Sequence, residues 1–211
     1  MSSVPRSSIP RSMEASGPGE AGAVAAARRT APSGWWGAAL LIATEATLFS
    51  CLIATYFYLR FKTGEWPPNG IEKPSVTLPL VFTGMLVATS LPMFLSVKAA
   101  KGGAVRAAWW LLALATAVQA TYLGLQIHLM VDDLNSFSPQ VNAYASIYYT
   151  LITTHHAHVA IGLALDAWLL WKLARGITNY RLIALRVAAF YWYFVSVAAV
   201  AVVLTQLYPS L

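Results

Sequence analysis

Five stretches of nearly unbroken apolar residues, at 35–59, 76–97, 107–130, 144–171 and 187–208, are separated by shorter polar connections. Each exceeds the roughly 20 residues that a helix needs to cross a bilayer core. The alternating ten-residue segments of a membrane barrel are absent. The pattern predicts an all-α integral membrane bundle of five transmembrane helices over residues 34–211. Pro79, Gly84, Pro92, Gly124 and Gly162 interrupt the runs, which neighbouring helices tolerate by satisfying freed backbone groups. Residues 1–33, rich in Ser, Pro, Gly and Ala with scattered Arg, are too polar to pack a core and predict a disordered cytoplasmic tail. They lack the apolar core of a signal peptide, and Arg28-Arg29 runs straight into the first span without a cleavage pattern.

Composition agrees with the pattern. Of 211 residues, 58% are hydrophobic and 10% charged, against roughly 25% charged in soluble domains. Eleven of the 14 basic residues fall in the tail (Arg6, Arg11, Arg28, Arg29), the second connection (Lys98, Lys101, Arg106) and the fourth (Lys172, Arg175, Arg181, Arg186). Basic connections stay inside, so the N-terminus is expected in the cytoplasm and the C-terminus outside. The net charge of +6 is then a topology signal and gives no reason to expect a nucleic-acid partner.

The costly residues come next, because an ionisable group at membrane depth usually faces protein or a wet cavity. Three of the four histidines lie in Thr154-His155-His156-Ala157-His158, halfway along the fourth run. Ser146, Thr150, Thr154, His158, Gly162 and Asp166 recur every fourth residue there and predict one polar ridge turned away from lipid. Glu45 lies ten residues into the first span, ~15 Å deep at 1.5 Å per residue, and His155 is ~16 Å deep from the other side. Gln119 reaches the same plane. These groups support three readings: an interhelical hydrogen bond, a contact with lipid or a partner subunit, and a proton relay.

Metal chemistry fits the sequence poorly. His155 and His158, three residues apart, form a plausible ligand pair, yet a transition-metal site needs further ligands at that depth, and Glu45 alone is thin. His128 lies near a membrane edge and Asp166 is ~16 Å further in. A b-type haem would need a second axial histidine on a facing helix. The single cysteine, Cys51, excludes a disulfide, an iron–sulfur cluster and a two-thiolate copper site. Its row with Thr47 and Thr55 at i+4 spacing predicts a helix-packing seam.

At this point the residues carry a resemblance. Gly34-Trp35-Trp36-Gly37 through Ala43-Thr44-Glu45-Ala46-Thr47-Leu48-Phe49 resembles the S/T-E-x-x-x-F helix of subunit III of the haem-copper oxidases, the cytochrome c oxidase subunit III family. The W-P-P-x-G-I connection of that family matches Trp66-Pro67-Pro68-Asn69-Gly70-Ile71. His155-His156-Ala157-His158-Val159-Ala160-Ile161-Gly162 is similar to its H-G-L-H-V-I-I-G helix, and Ala189-Phe190-Tyr191-Trp192-Tyr193-Phe194-Val195 to its A-x-Y-W-H-F-V helix. Four motifs stand in order from Trp35 onward. The chain departs from the pattern at His156, where glycine is common, at Tyr193 and Ser196 (H-F-V-D), and at Gln126-Ile127-His128, which lacks the glutamate of Q-x-x-E-Y.

The resemblance implies the short, five-helix bacterial form of a noncatalytic subunit in the bacterial inner membrane. Family members bind no haem or copper themselves; haem and copper reside in partner subunits. They pack on subunit I (with subunit II in the same complex), hold structural phospholipids in a cleft and support proton uptake and turnover in aerobic respiration. Other respiratory-complex subunits are further expected partners. Glu45, His155 and His158 match family positions near that cleft. Asp166, Gln119, Trp35, Trp36 and Arg181 are the remaining candidates for lipid, interface or modulatory contacts. Siblings in quinol oxidases or nitric oxide reductases share these features. A competing class is a free-standing five-helix transporter or proton channel relaying through Glu45, His155, His158 and Asp166. Against it, the first span has no polar residue on the inner side of Thr44, and no repeated halves are visible.

Overall fold

A computed structural model describes residues 33–68, 71 and 75–210, and among them every regular element is helical. The expected tail, apart from its last residue, lies outside the described residues. Helix α1 covers Ser33–Lys62, α2 Thr77–Ala88, α3 Ser90–Lys101, α4 Val105–Ser136, α5 Ala143–Leu173 and α6 Asn179–Leu207, with a 3₁₀ turn at Tyr208–Ser210. The second apolar run is thus two helices meeting at Thr89. Pro92 has no N–H for the carbonyl of Ala88, so the ladder breaks one turn before it. The Thr89 N–H and hydroxyl both turn back to the Leu86 carbonyl, at 3.1 and 2.6 Å.

The helices run past the apolar windows at several ends, because hydropathy marks lipid while helical hydrogen bonding continues into the headgroup region. Caps fix two starts: the Asn142 side chain accepts from the Ala145 N–H at 2.9 Å and Thr178 from the Arg181 N–H at 3.3 Å. Gly103 (φ 78°) and Gly176 (φ 98°) supply the left-handed residues at the two tight turns. The Arg181 guanidinium donates to the Gly176 carbonyl at 2.7 Å, tying down the second of these.

Among the described residues, four helices are long and apolar enough to cross a membrane, with α2 and α3 counted together. Helix α5 is 31 residues long and is not among them, because its histidines and Asp166 interrupt the apolar run. Helix α6 is central and packs on α1, α2, α3 and α5, whereas among the described α-helices α1 packs on α5 and α6 alone. Two apolar cores result. One joins α2–α6 around Leu86, Met93, Leu112, Leu169 and Trp192, and the other joins α1, α5 and α6 around Phe49, Tyr56, Trp66 and Tyr144.

Outward faces carry Leu40, Leu41, Leu48, Leu114, Val197 and Leu204, as expected where lipid is the solvent. The Thr47–Cys51–Thr55 row also lies on an exposed face, so it is not a packing seam within this chain. Thr47 and Thr55 instead bond carbonyls of their own helix, at 2.9 and 2.8 Å, which satisfies them without a neighbour. The expected single ridge on α5 is corrected too. A row of every fourth residue drifts by about 40° per step on a 3.6-residue helix. Ser146 and Thr150 are therefore exposed while His158, Gly162 and Asp166 are buried.

Candidate functional site

The polar residues of α5 sort onto two flanks. On the α1 flank, His158 Nε2 meets Glu45 Oε2 at 2.8 Å, and His158 Nδ1 lies 2.7 Å from the Thr154 carbonyl. A carbonyl only accepts, so Nδ1 carries a proton and donates. Nε2 then either donates to a carboxylate or accepts from a carboxylic acid. Both arrangements hold one proton between the two side chains and leave the pair neutral overall. Phe49 lies against the imidazole with ring centroids 5.0 Å apart. The Tyr191 hydroxyl donates to the His158 carbonyl at 2.9 Å, binding α6 to the same turn.

On the α4 flank, His155 Nε2 and the Tyr122 hydroxyl share a 3.1 Å hydrogen bond. Further along α5, Asp166 is wholly buried and accepts from Thr116 at 3.4 Å. Gln119 lies between Asp166 and Thr89, 3.1 Å from each. With Asp166 ionised, the amide nitrogen faces the carboxylate and the amide oxygen takes the Thr89 hydroxyl. With Asp166 protonated, the acid donates to the amide oxygen, and the nitrogen donates to Thr89, whose own proton goes to Leu86. The orientation of Gln119 thus follows the proton on Asp166.

This geometry revises the sequence pairing in two respects. Glu45 takes His158, not His155, and Gln119 joins Asp166 rather than the Glu45 plane. His155 and His158 diverge to different helices, so they do not act as a ligand pair. Among the described residues, no three His, Cys, Asp or Glu side chains converge. His128 pairs only with Asp132, at 3.7 Å on an exposed turn, an interaction worth well under 1 kcal/mol.

Tyr122, Thr89, Thr116 and the Trp192–Gly162 contact were not singled out from the sequence. A signal for Tyr122 exists in its place three residues from Gln119, on one helix face. Trp192 is 1% exposed, and a Cβ on Gly162 would come within 2.7 Å of its ring. Gly162 therefore leaves on α5 the space that the Trp192 indole of α6 fills.

Near the tight turns, Trp35 stacks on Phe190 at 4.7 Å, while Trp36 is exposed. Lys172 and Arg175 lie over Trp171 at 4.7 and 4.0 Å, aromatic–cation pairs suited to a membrane interface. Between α1, α5 and α6 at this end runs an apolar groove of about 310 Å³, lined by Leu41, Ile42, Trp168, Tyr180 and Tyr191 among others.

Long apolar helices with polar contacts sequestered between them define a multi-pass membrane protein. The family described as cytochrome c oxidase subunit III matches residues 26–209. The chain is 32% identical to cytochrome c oxidase subunit 3 of Bacillus subtilis over 167 residues, covering 78% of this chain and 79% of the relative. It is 29% identical to cytochrome bo(3) ubiquinol oxidase subunit 3 of Pseudomonas aeruginosa, over 80% of each chain. With quinol oxidase subunit 3 of Bacillus subtilis it shares 27% identity, over 78% of this chain and 79% of the relative. The chain belongs to the cytochrome c oxidase subunit III family of the haem-copper oxidases. Two motifs that carry the resemblance dock on one another here, through Gly162 against Trp192 and His158 against Tyr191.

Proposed function

We propose that this chain is a noncatalytic subunit of a bacterial haem-copper terminal oxidase. It crosses the inner membrane five times with its N-terminus inside and C-terminus outside, and packs on the subunit that bears haem and copper. The family membership carries this reading. The basic residues around Lys98–Arg106 and Lys172–Arg186 support the orientation. At 31 residues α5 is ~46 Å long, ample for a fifth span despite its polarity. The apolar groove beside Trp168 and Tyr180 suits phospholipid acyl chains, with Lys172, Arg175 and Arg181 close to headgroup level. Support of proton uptake and of sustained turnover follows as the role of such a subunit, with no metal held by this chain.

The relatives span cytochrome c and quinol oxidases, so both electron donors fit. A through-membrane relay fits less well, since Glu45–His158 and Asp166–Gln119 lie on opposite flanks of α5. Extraction in mild detergent through a tag on this chain is expected to bring haem-bearing subunits with it, and those partners should oxidise either reduced cytochrome c or a quinol. Recovery of the chain alone, conducting protons in vesicles, is the result that defeats the reading. For topology, Gln140→Cys should be labelled from outside intact cells and Gly102→Cys should not. The reverse pattern overturns the orientation.

A further inference from the structure

At the membrane end opposite the tight turns, a cavity of about 90 Å³ opens between α2, α4, α5 and α6. Ser75, Asp133, Tyr148 and Gln206 lie toward the helix ends around it, and Tyr122, His155 and His156 lie at its deep end. From Tyr148 to His155 is seven residues of helix, ~10 Å of depth. His155 and His156 are 3% and 8% exposed, and the Nδ1 atom of each lacks a hydrogen-bond partner. Tyr122 takes only the other nitrogen of His155.

Gln126, Asp133, Tyr148, His155, His156 and Gln206 make the lining of this cavity polar. An apolar cavity stays dry, but a polar one of this size accepts water when each molecule finds two to four partners. At roughly 30 Å³ per molecule, about three waters fit. We propose that this cavity is a water-filled inlet that brings the aqueous phase to the mid-membrane imidazoles of His155 and His156. Its ligand is a short chain of ordered water, hydrogen-bonded to Gln126, Tyr148, Asp133 and Gln206 and ending against the two imidazole rings.

The inlet is blind. The cavity ends at Tyr122 and His155: Gln119, one turn below Tyr122 on α4, is wholly buried, bonded to Thr89 and does not line it. Proton exchange between the histidines and water is thereby confined to one side of the membrane. Only the name of that side rests on the proposed orientation, and the inlet itself is independent of the oxidase reading.

Silver-ion protection of engineered thiols in the assembled, detergent-solubilised complex tests the inlet, in a Cys51→Ala background. Silver binds the thiolate, which forms where water reaches. Val203→Cys and Ala199→Cys place thiols on the cavity wall, where the native residues are 6% and 1% exposed. Leu204→Cys sits at the depth of Val203 but on the outward face, where leucine is 51% exposed. Silver should block later maleimide labelling of the two wall thiols at least tenfold faster than that of Leu204→Cys. Each wall position decides independently, so failure of one variant to assemble leaves the other. Wall thiols blocked no faster than Leu204→Cys would show the cavity to be dry and overturn the inlet.

Discussion

Gly162→Leu will prevent this chain from accumulating in the assembled complex, and Gly162→Ala will lower the thermal stability of that complex. The cause is steric. The nearest atoms to an added Cβ are Cζ2, Cε2 and Cη2 of Trp192, at 2.7, 3.0 and 3.1 Å. They belong to a rigid ring sealed among α2, α4, α5 and α6, so they cannot swing aside as the tip of a lysine could. Overpacking of this kind costs ~1–3 kcal/mol. The gain in helix propensity from Gly to Ala is only about 1 kcal/mol and returns part of it. Leucine adds three further carbons to the same gap and separates α5 from α6. Trp192→Phe removes the ring edge that clashes, so it should rescue Gly162→Ala and make the double variant more stable than the summed single effects. Thermal unfolding of the complex, followed by loss of this chain, reads the four proteins of the cycle. If Gly162→Ala is harmless and shows no coupling to Trp192, close approach at Gly162 does not hold α5 to α6.

The long elements were legible because membrane helices carry their signal in uninterrupted hydropathy. Each of the five runs is helical, the second as two helices, with ends shifted by a few residues. The break at Thr89 was also written in the sequence, through Pro92, although a hydropathy window averages over it. Partner choice was less legible. Depth along a helix follows from counting residues, so Glu45, His155 and Gln119 fell in one plane by arithmetic. Rotation about the helix axis and the reach of each side chain do not follow from counting. Those two quantities gave Glu45 to His158 and Gln119 to Asp166. The fourth-residue row on α5 failed for a related reason: its 40° drift per step carried Ser146 and Thr150 out to the exposed face. Gly162 was visible as a small residue in a polar row, but its partner, an indole on another helix, needed the packed bundle.

Glu45→Ala should release this chain from the complex during detergent extraction about three- to sixteenfold faster than the parent, while Glu45→Gln should retain it. The magnitude converts membrane hydrogen-bond strengths of ~0.6 kcal/mol on average and ~1.7 at most at 1.4 kcal/mol per tenfold. The difference between the variants comes from the proton on His158. Its Nδ1–H is committed to the Thr154 carbonyl at 2.7 Å, so a neutral ring presents Nε2 as an acceptor. A glutamine amide N–H donates to that acceptor across the same 2.8 Å gap and preserves the bond between α1 and α5. Alanine leaves Nε2 without its partner, and among the described α-helices α1 packs on α5 and α6 alone, so few other contacts compensate. Glu45→Gln removes the shared proton but not the contact. Initial oxygen consumption and proton release in reconstituted vesicles should therefore stay near parental values for that variant. Loss of turnover in a fully assembled Glu45→Gln complex would mean that the proton between Glu45 and His158 is used in the reaction and does not merely hold two helices together.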